Sequence, residues 1–120
     1  MKKVKNKKKD SFYTYYAVVS SVYDGDTITA DIDLGFHAWM HNEKLRLSRI
    51  NTPEVRGSEK ERGLVSRDWL RKRINGKQII IKTSKDKKGK YGRYLVEVFL
   101  DGVNINDELV KKELAVYKQY

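Results

Sequence analysis

Strand-length apolar runs separated by tight-turn signals, one helical stretch between the third and fourth runs, and a second helix near the end predict a β-rich α+β domain. The expected architecture is a small five-stranded β-barrel of OB type with two to three helices. Closing the sheet removes edges that so short a chain cannot otherwise cover. The chain has 120 residues, enough for one core and too few for two.

The elements follow in order. Tyr13 to Tyr23 is rich in Tyr and Val, with Tyr13, Tyr15, Ala17 and Val19 on one side, and Asp24-Gly25 ends it. Thr27 to Leu34 alternates Ile28, Ala30, Ile32 and Leu34 with Thr29, Asp31 and Asp33, the pattern of a half-buried strand. Gly35 breaks it, and Phe36 to Glu43 reads as a hairpin connection. Leu45 to Ile50 returns as a strand until Pro53 stops the ladder. From Lys60 the period becomes helical, placing Val65, Trp69, Leu70 and Ile74 on one face, with a C-cap signal at Asn75-Gly76. Lys77 to Ser84 carries Ile79-Ile80-Ile81 as a buried strand. Arg93 to Leu100 is the fifth strand, closed by the Asp101-Gly102 turn. Asn104 caps a final helix through Leu114, with Asp107 three residues on.

Composition narrows the chemistry. The chain has no cysteine and only two histidines, His37 and His41, so thiolate sites are excluded and a zinc centre lacks nitrogen ligands. Any metal should be hard and oxygen-bound. Net charge is +10, which favours a polyanionic partner. Six lysines fall within Met1–Lys9, and beyond Asp10 the balance is still 20 basic against 15 acidic side chains. Residues 1–10 are therefore read as a disordered basic tail and 11–120 as the folded domain. No stretch has the length of a signal peptide's apolar region or a membrane span, so a cytoplasmic location is favoured.

Three stretches carry the chemistry. Asp24 and Asp26 flank Gly25 at a strand end, where a turn can hold two carboxylates near one point, although such a triplet alone is more often a polar turn. In Asn51-Thr52-Pro53-Glu54, proline pushes Thr52 toward an extended conformation that can aim its carbonyl at an ion; an ordinary loop has the same composition. Arg46 lies between Leu45 and Leu47 and belongs on the polar face of its strand. Lys85 to Arg93 is a basic loop in which Tyr91 can stack on a base while Lys87, Lys88 and Lys90 meet phosphates, or which is simply a solvated hairpin. Arg93 starts a strand, so its planar guanidinium sits on a rigid element and can grip phosphate with two bonds.

Taken together these motifs, across residues 13 to 120, closely resemble the staphylococcal nuclease (thermonuclease) family. The resemblance implies the same barrel and a Ca²⁺-dependent nuclease acting on DNA or RNA; the chain is also expected to be a monomer without membrane association. It assigns Asp26 as principal metal ligand, Asp24 as a supporting carboxylate and the Thr52 backbone carbonyl as a further calcium ligand. Glu54 corresponds to the glutamate that handles the attacking water, and Arg46 and Arg93 to the pair that binds the scissile phosphate. Lys90 and Tyr91 match residues beside the nucleotide, and Tyr117 and Tyr120 lie where aromatic contacts are common. Asn51 departs from the pattern, since the family usually carries a second calcium-binding aspartate there. An amide oxygen without charge implies weaker cation binding. The segment from Gly35 to Glu43 is longer than in the best-known member. There His37 and His41 are expected to be structural, with Phe36 and Trp39 capping one barrel end or facing a partner. The rival class is a nucleic-acid- or protein-binding barrel without catalysis.

Overall fold

The computed structural model describes residues 13–88 and 90–119, with backbone alone for 85–87 and 90. The tail expected over 1–10 lies outside the described residues. The strands are β1 (Thr14–Asp24), β2 (Thr27–Gly35), β3 (Ala38–Leu47), β4 (Ile50–Asn51), β5 (Gln78–Lys88), β6 (Tyr94–Leu100), β7 (Val103–Asn104) and β8 (Val116–Tyr117). Helix α1 (Lys60–Ile74) lies between β4 and β5, and α2 (Ile105–Lys111) follows β7.

The sheet runs β3-β2-β1-β5-β6-β7, and β3 also pairs with β6. That last pairing is parallel, Leu45 with Tyr94, Arg46 with Leu95 and Leu47 with Val96, whereas the others are antiparallel. Five strands thus close into a mixed barrel, as expected for an OB-type fold. Alternation fills its interior with Ala17, Val19, Ile28, Ala30, Leu45, Leu47, Ile79, Ile81, Val96 and Val98, all essentially inaccessible. Leu70 and Ile74 of α1 and Ile105 and Leu109 of α2 extend this core.

Helix α2 is held by a buried amide. Asn106 Nδ2 donates to the Ser48 and Val96 carbonyls at 2.9 and 3.0 Å, and its Oδ1 accepts from the Val98 N–H at 3.0 Å. The Asn104 side chain accepts from the Asp107 N–H at 3.0 Å, as the cap signal predicts, although the helix stops at Lys111 rather than Leu114. Arg49 binds Glu97 through two bonds, 2.6 and 2.7 Å, and Asp107 at 2.9 Å. These contacts fix the β3–β4 corner, from which Arg46 and Asn51 project.

Two expectations are corrected. Phe36 to Glu43 is not a connection: β3 starts at Ala38, and the turn is only Phe36-His37, both at positive φ. Phe36 is fully exposed and does not cap the barrel; Trp39 stacks with His41, which pairs with Asp31 at 3.3 Å. In α1, Val65 faces solvent while Gly63 and Ser66 are buried, because the helix packs a small-residue face inward. Among the described residues, no helix is long and apolar enough to cross a membrane.

Candidate active site

The β1–β2 turn brings the acidic groups together. Asp26 N–H donates to Asp24 Oδ1 at 3.0 Å, closing a local side-chain turn. Gly25 is required by crowding, since a Cβ there would stand 2.8 Å from Thr52 Cγ2 and 2.9 Å from Ser66 Cβ. Gly63 does the same for the helix: a Cβ would lie 2.0 Å from the Glu54 carbonyl oxygen. Two glycines therefore let the turn, the 52–54 segment and α1 meet in one place.

Around that junction sits a buried polar cluster of Asp26, Thr27, Arg46 and Thr52. Asp26 Oδ2 accepts the Thr52 N–H at 3.0 Å and lies 3.3 Å from Arg46 Nη2, while Asp26 Oδ1 accepts from Thr27 Oγ1 at 3.2 Å. Arg46 is not an exposed strand charge. Its Nη1 donates to the Leu47 and Ile50 carbonyls at 2.6 and 3.1 Å, and its Nη2 to Asn51 Oδ1 at 3.4 Å. Backbone carbonyls thus hold the guanidinium under the sheet surface as a fixed positive charge. Arg93 Nη1 donates to Thr27 Oγ1 at 3.2 Å, and its Nε is buried with no hydrogen-bond partner. The guanidinium carbon stands 5.3 Å from the centre of the Tyr91 ring.

These groups line one open cleft of about 750 Å³, walled by Asp24, Asp26, Arg46, Asn51, Glu54, Tyr91 and Arg93 among others. Glu54 is at its exposed rim, with its N–H bonded to Glu59 Oε1 at 3.1 Å. Burial pushes the Asp24 carboxyl up to about 7, helped by the hydrogen bond and negative charge of Asp26; the Asp26 N–H and Arg46 oppose this incompletely. Arg46 pairs with Asp26, so Asp24 is the carboxylate of the two left to burial.

The donor set suits a hard cation. Asp24, Asp26 and the Asn51 amide bring oxygen donors to the cleft wall, while Thr52, whose N–H binds Asp26, is buried behind it with its Oγ1 lacking a hydrogen-bond partner. Among the described residues, no three His, Cys, Asp or Glu side chains gather as a metal cluster. Asp24 and Asp26 are the carboxylates that meet at the β1–β2 turn.

Most expected site residues thus converge. Tyr117 is turned elsewhere: its hydroxyl donates to Asp107 Oδ1 at 2.9 Å, and Arg49 stands over its ring at 5.7 Å. Lys88 Nζ sits 5.2 Å from the Tyr94 ring and does not line the cleft. The side chains of Lys87 and Lys90, and Tyr120, lie outside the described residues. Sequence reasoning missed Tyr23, Lys44 and Arg71, which also line the cleft. Lys44 had a readable signal, since it is two residues before Arg46 on the same strand face.

Comparison with known proteins shows the family. The family model described as staphylococcal nuclease homologue matches residues 44–120. A thermonuclease of Staphylococcus intermedius is 30% identical over 106 residues, covering 86% of this chain and 60% of that protein. The thermonuclease of Staphylococcus hyicus is 30% identical over 105 residues, 85% of this chain and 59% of its own length. An uncharacterised protein of Methanocaldococcus jannaschii is 29% identical over 127 residues, 85% of this chain and 58% of that protein. The fold and site define a small nuclease-like barrel. The chain belongs to the staphylococcal nuclease homologue family, and spans about three-fifths of the length of these relatives.

Proposed function

We propose that this chain is a calcium-dependent nuclease that hydrolyses phosphodiester bonds of DNA, RNA or both, breaking the bond to the 5′-oxygen and leaving 3′-phosphates. The observation that carries the reading is the meeting of two carboxylates, two buried-stem arginines and a rim glutamate in one cleft, with Arg93 Nε lacking a partner. A buried guanidinium donor without an acceptor is suited to an incoming phosphate oxygen.

Asp26, Asp24, Asn51 Oδ1 and the Thr52 carbonyl would hold the cation. Bound there, calcium would neutralise phosphate charge and polarise a water molecule. Glu54 at the rim accepts the proton of the attacking water. Arg93, anchored through Thr27, offers Nε to a non-bridging oxygen. Arg46 supplies fixed positive charge from below, where negative charge accumulates as the fifth oxygen bonds to phosphorus. The departing 5′-oxygen takes its proton from solvent in the open cleft.

One observation favours a second reading, a barrel that binds nucleic acid without cutting it: at the position proposed for the cation, Asn51 stands as an uncharged amide already bonded to Arg46. Incubating purified protein with single-stranded DNA in calcium or in chelator separates the two. Fragments in calcium alone are expected. Equal cleavage in chelator rejects the metal, and binding without cleavage selects the second reading.

A further inference from the structure

We infer that the cleft contains a second nucleotide subsite beside the proposed reaction centre, in which Tyr23 stacks on a base and Lys44 meets the neighbouring phosphate. This rests on the nuclease reading above. The first support is a register shift. Val22 pairs with Ile28 and Asp24 with Thr27, so Tyr23 is an extra residue with no partner on β2. Such a bulge turns a side chain out of the regular pleat, and bulges of this kind are common next to active sites. The Tyr23 ring is 53% exposed yet held in place, because Arg56 Nη2 donates to its hydroxyl at 2.8 Å. An aromatic face that is both exposed and oriented is what base stacking uses. Arg71, whose Nε donates to the Val22 carbonyl at 3.2 Å, adds a cation at the same wall.

The second support is cross-strand alignment. Asp24, Thr27 and Arg46 are paired across β1, β2 and β3. Two residues further along β2 and β3, and three along the bulged β1, Ser21, Thr29 and Lys44 are paired across the same strands, and all three line the cleft. Two residues on a strand span roughly 7 Å, close to one phosphate-to-phosphate step of an extended single strand. The second row offers two short hydroxyl side chains as a floor and one exposed lysine at its end. A strand whose scissile phosphate lies at Arg46 and Arg93 therefore lays an adjacent phosphate beside Lys44. The cleft has an aromatic ring on each side of the reaction centre, Tyr91 from the β6 side and Tyr23 from β1.

The test uses Glu54→Gln in calcium, so that binding is read without turnover. Fluorescence anisotropy measures labelled oligothymidylates of two and four residues over a range of salt. The tetramer should bind at least about tenfold more tightly than the dimer. Tyr23→Ala should cut that ratio by on the order of tenfold, while Tyr23→Phe, which keeps the ring but loses the Arg56 bond that orients it, should cut it by less. Lys44→Ala should reduce the ratio and lower the tetramer's salt slope by about 0.7. A ratio unchanged in both alanine variants, with melting temperatures intact, overturns the subsite. Equal weakening of both lengths also overturns it, since that reports general phosphate attraction. Cleavage of long single-stranded DNA by the unmodified protein is followed in parallel. A length ratio that falls in the variants while no cleavage occurs retains the subsite and rejects the nuclease reading. Cleavage with an unmoved ratio does the reverse, and binding of neither length rejects both.

Discussion

Replacing Asp24 by Asn should stabilise the protein at alkaline pH and leave it unchanged in acid. The Asp24 carboxyl is pushed up to about 7 from 3.8, so between these values the folded chain keeps a proton that the unfolded chain has lost. Stability therefore falls as pH rises through this window, and the loss is complete above 7. At about 1.4 kcal/mol per pH unit the gross cost is somewhat over 4 kcal/mol. Asp24 stands at an open cleft, where solvent and relaxation reduce this to on the order of 2 kcal/mol. Asparagine keeps the Oδ1 that accepts the Asp26 N–H, so the turn survives. The assay is urea unfolding in chelator at pH 4 and pH 8.5. Asp24→Asn should raise stability by about 2 kcal/mol at the higher pH and by almost nothing at the lower. The same gain at both values would show a packing effect, and a less stable variant at pH 8.5 would refute the reasoning.

Three further outcomes are expected. Arg93→Lys should lower kcat by about a hundredfold or more with a smaller change in KM, because lysine lacks the planar donor pair that binds a developing oxyanion; steady-state kinetics with loss confined to KM would demote Arg93 to a general phosphate contact. Asn51→Asp should tighten calcium binding by about tenfold by calorimetry and raise activity at limiting calcium, and adding Glu54→Gln should abolish the activity gain but not the affinity gain. Gly63→Ala should cost about 2 kcal/mol or more in thermal unfolding, since the new Cβ meets the Glu54 carbonyl and must displace either α1 or the segment bearing Glu54; an unchanged melting temperature would show that the two elements slide apart freely.

Much of this arrangement was legible because turn chemistry is local. Asp24-Gly25, Asn75-Gly76, Asp101-Gly102 and the Asn104 cap all mark real element ends. What escaped depends on partners distant in sequence. Arg46 reads as a surface charge between two leucines, and its burial follows from the Leu47 and Ile50 carbonyls that satisfy it. Ala38 to Glu43 lacks apolar alternation because neither face of that stretch of β3 is deeply buried, so only pairing with β2 identifies it as strand. Val65 outranks Ser66 in hydrophobicity, yet Ser66 is inside, where its hydroxyl donates to the Leu114 carbonyl at 2.7 Å. Within the candidate site, Asp26, Asn51, Thr52, Glu54 and Arg93 stand beside turn signals, while their roles, and Arg46 itself, were picked out through the family resemblance. Tyr23 was not, since a bulge exists only once two strands have chosen their register.

The parallel seam between β3 and β6 ties the proposed chemistry to the folding of the whole chain. Leu45 and Tyr94 meet across it although they are about fifty residues apart. Bringing such distant positions together costs about 3 kcal/mol of loop entropy beyond a constant, and non-local pairings of this kind slow folding. Arg46 and Arg93 stand on opposite sides of that seam, one inside β3 and one just before β6. A fragment ending before β6 has no strand to hold Arg93 beside β3, and no partly zipped barrel holds the two at working distance. Breathing motions that part these two strands would separate the arginines while leaving the β1–β2–β3 meander paired. Catalytic competence in this chain should therefore report barrel closure, and a substitution that loosens Leu47 against Val96 should silence the cleft before it melts the protein.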